Sequence, residues 1–462
     1  MYTCEYLIIG GGKTGIKVAN ELNKTGRNIV LVEENRLGGN TLNQVDIPQE
    51  AYHYETKLLS GMARYFADEG KPAHNLYEVK KIVVARAKRK ISNKAKKLAC
   101  SLEKLDKVKV VFAKASLVTK NIAEVSLNNK KIEIKFKTCF ICTGKDNIVT
   151  PSITGLERTP FLNKYNVFSI DSLPLSLGII GLNETSINIA SIYSSLGVKV
   201  VIFEKYSRVK TMQTVDIDLI NYIVHKLQSN FVTVEFETEI VEVKPNDDGV
   251  IMVDTSGNQH CVDNIYVDCP EGFDPETLKL GNVKIKSSTD GIVVDKNNLT
   301  KLKNIYALGS CADFKGMKVD IVSLLQAIIF KEKKKRVDRE KQLIVRFVHS
   351  TLDTFQPIKV PPTYYKFELK YSINCFGLGL TERQATGKYG PKVKTTMIYS
   401  HGNSEFIKIL YFENSQKIVG CWATSYYKHH FESLLVYGME VKSNASDIAS
   451  IIKKSQKVSE FV

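Results

Sequence analysis

The apolar positions at the start of the chain follow first a strand pattern and then a helical one. Tyr6–Ile9 is a continuous apolar run, Ile16–Leu22 has apolar residues at helical spacing, and Ile29–Val32 is apolar again and ends at Glu33. This order predicts a dinucleotide-binding βαβ unit, in which glycines admit a pyrophosphate close to a helix N-terminus and Glu33 accepts hydrogen bonds from a ribose. The candidate binding residues are Glu33 and the glycines of the Gly-x-Gly-x-x-Gly turn, Gly10, Gly12 and Gly15.

A second unit with the same pattern is predicted near the middle of the chain. Its strand covers Leu177–Ile180, its helix covers Ile187–Leu196, and the following strand ends at Glu204. The turn of this unit keeps glycine only at the first of three positions, since Asn183 and Ser186 occupy the others. Their side chains stand where a pyrophosphate and a packed helix must come close, which favours impaired binding of NAD(P)H. The alternative is that the turn tolerates both side chains and still binds this nucleotide.

Length and composition describe a globular, multidomain chain. Its 462 residues suggest about two to four domains, and 43% hydrophobic with 25% charged residues is the balance of a protein with real cores. No run approaches the roughly 18 apolar residues of a membrane-spanning helix. A strand that begins at the N-terminus leaves no room for a signal peptide, so a cytoplasmic location is expected.

Charge and cysteine placement raise further questions about function. The nine cysteines are unpatterned, which favours a reducing compartment, and Cys139 and Cys142 are expected on opposite faces of a strand, without a redox or metal role. Two basic runs, 80–97 and 331–341, carry much of the net charge of +16. Without interleaved aromatic residues they are predicted to be solvated helix faces, with nucleic acid or an acidic partner as the alternative. His429-His430 shows no metal-ligand spacing, and no metal site is expected.

The segment Leu37–Glu50 resembles the redox-disulfide helix of dihydrolipoamide dehydrogenase, glutathione reductase and mercuric reductase, members of the class I pyridine nucleotide-disulfide oxidoreductase family. In that family the segment begins with Gly-Gly-Thr-Cys. Five residues follow, the last of which is the second Cys, and the segment ends with Ile-Pro-Ser-Lys. The two cysteine positions are occupied by Thr41 and Asp46. The frame around them is kept by Gly38, Gly39, Leu42, Asn43, Ile47 and Pro48.

Matching segments continue in order from residue 5 to residue 460, and they imply the fold. The expected class is α/β, with two Rossmann-like dinucleotide-binding domains, for FAD and NAD(P), and a C-terminal α+β dimerisation domain. The implied boundaries are an FAD-binding domain over 1–150, an NAD(P)-binding-like domain over 151–276, the second part of the FAD-binding domain over 277–345 and the interface domain over 346–462. The family resemblance also implies a homodimer.

The resemblance assigns cofactor and catalytic roles to particular positions. FAD is the expected cofactor, bound by Gly10, Gly12, Gly15, Glu33, Gly39, Thr143, Gly144, Gly309 and Ser310, the last of which replaces an Asp of the family. Ser455 stands in the place of the family's general-base His, and Glu460, which would orient that His, is retained. Glu50 replaces the Lys beside the flavin, and Asn188 replaces its Glu partner.

These replacements predict a change of function. An alcohol and a carboxylate cannot form a disulfide, and a serine hydroxyl is no base near neutral pH. The sequence therefore predicts an FAD-binding protein that has lost disulfide reductase chemistry and is catalytically degenerate, with a structural or regulatory role. The alternative is a disulfide-independent NAD(P)H-dependent flavin oxidoreductase acting on a quinone, metal or nucleotide acceptor.

Overall fold

The computed structural model describes residues 2–68, 76–127, 130–145, 147–295, 297–313, 325, 366–369, 373, 375–399, 405–424 and 444–459. The basic run 331–341, His429-His430 and Glu460 lie outside these residues. The helices in the described part of the chain are α1 Lys13–Asn23, α2 Ile47–Asp68, α3 Leu76–Glu103, α4 Glu184–Ser195, α5 Ile217–Ser229, α6 Glu382–Tyr389 and α7 Ala445–Ser459. No helix in those ranges is both long enough and apolar enough to span a membrane.

The described strands fall into four groups along the chain. The first group is β1 Tyr2–Ile9, β2 Ile29–Glu33, β3 Val108–Phe112, β4 Lys114–Thr119, β5 Ile122–Leu127 and β6 Lys130–Ile141. The second is β7 Asn147–Ile148, β8 Ser176–Ile180, β9 Lys199–Glu204, β10 Val232–Phe236, β11 Ile240–Asn246, β12 Gly249–Asp254, β13 Gln259–Val262, β14 Asn264–Val267 and β15 Glu271–Gly272. The third is β16 Ser287–Ser288, β17 Gly291–Val293, β18 Ile305–Ala307 and β19 Ala312–Asp313. The fourth is β20 Lys366–Leu369, β21 Cys375–Gly379, β22 Val393–Tyr399, β23 Phe406–Phe412 and β24 Ile418–Ala423.

The first sheet has seven strands in the order β3-β2-β1-β6-β5-β4, with β18 paired to β6. Strands β1, β2, β3, β6 and β18 run parallel, so a strand from the third group returns to the N-terminal sheet. In β1, the side chains of Tyr6, Leu7, Ile8 and Ile9 are all buried. Burial on both faces explains why this strand is continuously apolar rather than alternating.

The second parallel sheet repeats this architecture with four strands in the order β10-β9-β8-β14. Helices α4 and α5 contribute their apolar faces to its core, which includes Ile187, Ile223 and Leu227. A separate antiparallel sheet, β11-β12-β13, packs beside it around Met252. Both predicted βαβ units are therefore confirmed, and each helix begins three residues earlier than the apolar spacing had indicated.

The C-terminal part is an antiparallel five-stranded sheet in the order β20-β21-β24-β23-β22, accompanied by α6 and α7. Trp422 lies fully buried on β24, opposite Lys408 on β23. The ammonium of Lys408 is also fully buried and binds Asp216 and Asp218 at the start of α5, as well as Glu382 of α6. Two Rossmann-like units and a C-terminal α+β part confirm the expected fold class, while the domain boundaries stay predictions.

Candidate functional site

A cleft of about 440 Å3 opens at the carboxyl ends of β1, β2 and β6. Parallel strands place their C-terminal turns at one edge of the sheet, where ligands of open α/β folds bind. Of the nine predicted FAD-binding residues, seven line this cleft: Gly10, Gly12, Glu33, Gly39, Thr143, Gly144 and Ser310. The structure thus brings together residues that are up to 300 positions apart in the chain.

The remaining two predicted residues, Gly15 and Gly309, support the turn from behind. A Cβ atom on Gly15 would lie 1.9 Å from the carbonyl oxygen of Gly10, so only glycine allows α1 to pack this closely on β1. Gly309 has φ +84°, and a Cβ atom there would lie 2.6 Å from Oγ1 of Thr14. Both positions therefore fix the shape of the cleft without lining it.

The N-terminus of α1 faces the cleft without a side-chain cap. Its N-cap residue is Gly12, which makes no side-chain hydrogen bond, and a Cβ atom on Gly12 would meet only the carbonyl oxygen of Gly38, at 4.0 Å. The first N–H groups of a helix have no partner within the helix, and its dipole favours a negative charge there. Lys13 adds a cation at the first helical position. This end of the cleft can therefore hold an anionic group such as a pyrophosphate.

Glu33 occupies the cleft at the end of β2 and is held by the backbone. Its two carboxylate oxygens accept hydrogen bonds from the N–H of Gly11, at 2.6 Å, and the N–H of Asn35, at 2.9 Å. A carboxylate has about four lone-pair sites, so acceptor capacity is left for hydroxyl groups of a ligand. These two hydrogen bonds hold the Glu33 carboxylate in one orientation at the cleft.

The opposite wall of the cleft comes from the ends of β6 and β18. Gly144 has φ +80° and lies next to Ser310. A Cβ atom on Gly144 would be 3.6 Å from the Ser310 Oγ atom. The Thr143 Oγ1 atom is buried and has no hydrogen-bond partner among the described residues. A buried hydroxyl without a partner is costly unless a ligand or water completes it, which marks this wall as a binding surface.

The segment that resembles the redox-disulfide helix forms a π turn over Thr41–Asp46, directly before α2. Asn43 anchors this turn by donating hydrogen bonds to the carbonyl oxygens of Leu37 and Gly39, at 2.8 and 3.0 Å. Thr41 lines the cleft, and the carboxylate of Asp46 forms an ion pair with the Lys13 ammonium, 3.1 Å away. Single π turns inside helices often occur at functional sites, and this one carries no cysteine.

Glu50 lies in the first turn of α2 and is paired with a basic residue of the neighbouring helix. Its carboxylate forms an ion pair with Lys94 of α3, at 2.5 Å, and Glu50 is not among the residues that line the cleft. The prediction that Glu50 occupies the place of the family's Lys beside the flavin stays a prediction. The basic run 80–97 also supplies Arg86 and Lys90, which bind the buried carboxylate of Glu55 on α2.

Two other positions that the resemblance assigns to catalysis, Ser455 and Glu460, have no described side chain. Ser455 lies on α7, but its side chain is outside the described set, as is all of Glu460. Burial raises the pKa of both Cys139 and Cys142, which keeps their thiols neutral. No group of residues able to hold a metal ion occurs in the described ranges.

The second βαβ turn has a different arrangement from the first. The Asn183 side chain caps α4 by accepting hydrogen bonds from the N–H groups of Thr185 and Ser186, at 2.9 and 3.0 Å. Ser186 Oγ accepts a hydrogen bond from the N–H of Asn183, at 2.7 Å, which completes a capping box. Sequence reasoning noted the lost glycines but missed this cap, although Asn-x-x-Ser at a helix start resembles the capping signature. It also missed the Lys13–Asp46 pair, for which the sequence carries no signal.

Comparison with solved structures supports the fold. The HOCl-induced flavoprotein disulfide reductase RclA from Escherichia coli superposes with a TM-score of 0.75 and 20% identity, covering 96% of this chain and 94% of that one. Its Cu(II) complex gives a TM-score of 0.76 at 18% identity, covering 96% and 95%. At this level of identity the likeness concerns the fold alone.

Sequence relatives match about two thirds of the chain. The soluble pyridine nucleotide transhydrogenase of Marinobacter nauticus is 25% identical over 309 residues, 66% of this chain and 65% of the relative. The dihydrolipoyl dehydrogenase of Buchnera aphidicola is 27% identical over 320 residues, 67% of this chain and 65% of the relative. The matches thus span just under two thirds of these relatives' length. Residues 4–328 match the model of the pyridine nucleotide-disulphide oxidoreductases, and the chain belongs to that family.

Proposed function

We propose that this chain is a flavoprotein that holds FAD in the cleft and has lost the dithiol chemistry of its relatives, so that its role is structural or regulatory. Members of the family are FAD-dependent flavoproteins with NAD(P)H as substrate. When bound, FAD supplies a ring system that accepts a hydride and passes electrons on. The chain thus keeps the cofactor of the family and lacks the family's disulfide reaction.

The shape and polarity of the cleft support FAD as its occupant. The uncapped N-terminus of α1 with Lys13 suits the pyrophosphate, and Glu33 suits the hydroxyl groups of the adenosine ribose. The unpaired hydroxyl of Thr143 offers a hydrogen bond at the opposite wall. Ser310 stands in place of the family's Asp, so its shorter side chain can still make a polar contact but carries no charge. These residues bind and orient the cofactor, and none of them needs to move a proton.

The observation that carries the loss of chemistry is the π turn Thr41–Asp46. It has a hydroxyl and a carboxylate at the two positions where the resemblance expects cysteines, and Asp46 is engaged by Lys13. Thiol–disulfide exchange requires a thiolate at this place, and neither group supplies one. The remaining cysteines offer no substitute beside the turn, because Cys142 lines the cleft only as a buried thiol whose pKa is raised by burial.

The same proposal includes a homodimer formed through the C-terminal antiparallel part, and a cytoplasmic location. Homologues in this family are commonly homodimers. In such an assembly the C-terminal helix of one subunit contributes to the site of the other, and Ser455 would replace the base that the family uses there. Sedimentation equilibrium of the purified protein tests the dimer, and a monomer at micromolar concentration would contradict it.

The central experiment tests cofactor and chemistry separately. The purified protein is first examined for a flavin absorption spectrum, and the bound flavin is then photoreduced without oxygen. Lipoamide, glutathione disulfide or a mercuric salt is added, and we expect no reoxidation at a rate above that of the protein-free control. A dithiol-containing dihydrolipoyl dehydrogenase serves as the positive control. Rapid reoxidation by a disulfide would refute the loss of chemistry, and a colourless protein that takes up no FAD would refute the cofactor.

A gain-of-function variant sharpens the same test. Thr41→Cys with Asp46→Cys places two thiols in the π turn, and we expect oxidation to remove two thiol groups compared with the reduced variant. The single variant Thr41→Cys is the matched control, because it adds one thiol and has no partner in the turn. If the double variant keeps both thiols free under oxidation, the π turn does not retain the disulfide-compatible geometry.

A further inference from the structure

We infer that the second βαβ turn is closed to NADH and NADPH by the chain's own Asn183–Ser186 cap, which occupies the place of a dinucleotide pyrophosphate. This inference deepens the proposed function, since it concerns the reductant on which the family's flavin depends. Its failure can be told apart from failure of the proposed function, because FAD occupancy is read from the flavin absorption spectrum and nicotinamide nucleotide binding is measured separately. The two βαβ turns of this chain share one backbone framework and differ in the side chains at the helix N-terminus.

The two turns have the same backbone framework. In each, the N–H of the turn's second residue donates to a carboxylate 22 positions later: Gly11 to Glu33 at 2.6 Å, and Leu182 to Glu204 at 2.8 Å. The first glycine in each donates its N–H to the end of the next strand, at 2.8 Å in both cases. Gly12 and Asn183 are therefore equivalent N-cap positions, and the differences between the turns come from side chains.

Those side chains decide whether the helix end is free. At the first turn Gly12 makes no side-chain cap, so the N–H groups of α1 remain available to an anion. At the second turn the Asn183 Oδ1 atom already accepts the N–H groups of Thr185 and Ser186. A pyrophosphate can reach these donors only by displacing a side chain that is held in a capping box.

Charge acts in the same direction as the cap. The first helical residue is Lys13 at the first turn, where its ammonium is paired with Asp46, and Glu184 at the second. The Asn183 Nδ2 atom donates to the carboxylate of Asp268, 3.0 Å away, which fixes the cap from its other side and adds a second negative charge. An anionic ligand at the second turn would therefore have to displace the hydrogen-bonded cap and would approach the carboxylate of Asp268, and like charges repel. The helix end is open to an anion at the first turn and is covered by the Asn183 cap at the second.

The test is a titration of the protein with NADH and with NADPH in the presence of saturating FAD, which occupies the first cleft, and nucleotide binding is followed by equilibrium dialysis without oxygen. We expect no saturable binding by the natural chain up to millimolar nucleotide. Asn183→Gly with Ser186→Gly restores three glycines, and we expect it to bind NADH at least about tenfold more tightly, since two hydrogen bonds no longer need to be broken. Asp268→Asn removes the flanking charge and is expected to give a smaller gain. Asn183→Asp is the matched control, because Asp caps a helix as well as Asn does and adds charge.

Far-UV circular dichroism and thermal melting establish that each variant keeps its fold. If the double glycine variant unfolds, Asn183→Gly alone addresses the same question, because glycine is tolerated at an N-cap. Micromolar binding of either nucleotide by the natural chain overturns the inference. So does a folded glycine variant that binds no more tightly than the Asn183→Asp control. Binding gained by the glycine variants and absent from the natural chain supports it.

Discussion

The replacement Lys408→Met is expected to destabilise the C-terminal part of the molecule strongly. Lys408 is a fully buried cation that binds three carboxylates, at 2.8 Å from Asp216, 2.7 Å from Asp218 and 2.7 Å from Glu382. Burial alone would lower the pKa of Lys408, but its hydrogen bonds to these carboxylates raise it above the ordinary value, so the ammonium stays charged. Removing it leaves Asp216, whose side chain is only 1% exposed, without its counter-ion.

The loss in free energy of unfolding depends on how many of the three carboxylates stay buried after Lys408 is removed. Breaking a buried ion pair by removing one partner costs roughly 3–5 kcal/mol. Asp216 still accepts the N–H groups of Asp218 and Glu382, at 3.2 and 2.8 Å, which places the effect near the lower limit, about 3 kcal/mol. The carboxylates of Asp218 and Glu382 are 37% and 44% exposed and regain water, so they add little.

The assay uses a probe that lies beside the perturbation. Trp422 is the single tryptophan of the chain, it is buried, and it is paired with Lys408 across β23 and β24. Urea unfolding followed by its fluorescence therefore reports on this part of the molecule. Lys24→Met, which removes a surface pair with Glu21, is the control and should cost less than about 1 kcal/mol.

A second substitution should restore stability to the Lys408→Met variant. Asp216→Asn retains a side chain that caps α5 and removes the charge that Lys408→Met leaves stranded, so the double variant should regain much of the lost stability. A Lys408→Met protein that unfolds within about 1 kcal/mol of the natural chain would refute a stabilising role of the cluster. A double variant less stable than Lys408→Met alone would refute the explanation by a stranded charge.

Three further predictions concern the cleft, the thiols and acid stability. Gly15→Ala should abolish FAD retention after gel filtration, because its Cβ would lie 1.9 Å from the Gly10 carbonyl oxygen; retained flavin would show that α1 can move away. Of the nine cysteines only Cys100 and Cys261 are exposed, so two thiols should react rapidly with Ellman's reagent in the native protein, and none in the variant with serine at both positions. The pKa of Glu382 is lowered from 4.5, first by its hydrogen bond to Lys408. The Glu382 carboxylate therefore contributes fully to the free energy of unfolding above pH 4.5, and this contribution is lost as the pH falls through the lowered pKa. Glu382→Gln should therefore weaken the pH dependence of unfolding in acid, followed by Trp422 fluorescence. An unchanged pH dependence would contradict this.

Much of the first βαβ unit was predictable because its signals are local. The apolar run of β1, the glycine turn and Glu33 lie within one continuous segment, and each follows from a backbone requirement that a single residue type meets. The strand pairing Leu7↔Cys139 and the return of β18 to the same sheet depend on contacts between distant segments. Periodicity alone carries no information about such partners, and the family resemblance supplied their order.

The electrostatic partners in the candidate site were not predictable. Glu50 forms an ion pair with Lys94, which lies 44 positions away on the adjacent helix. Asp46 meets Lys13 for the same reason, because the turn after β1 and the π turn before α2 converge on one cleft. The partner of a charged side chain depends on where its neighbours lie in space, which no local pattern specifies.

The sequence by itself determined the two βαβ units, the glycines that let a helix pack closely on a strand, and the absence of cysteine from the π turn. These follow from the chemistry of single residues and from short-range periodicity. Only the tertiary structure decided that one helix end is open and the other closed, since that depends on whether the Asn183 side chain turns back onto its own helix and is held there by Asp268. Hydrogen bonds of this kind require defined distances and angles, and these exist only once the chain has folded.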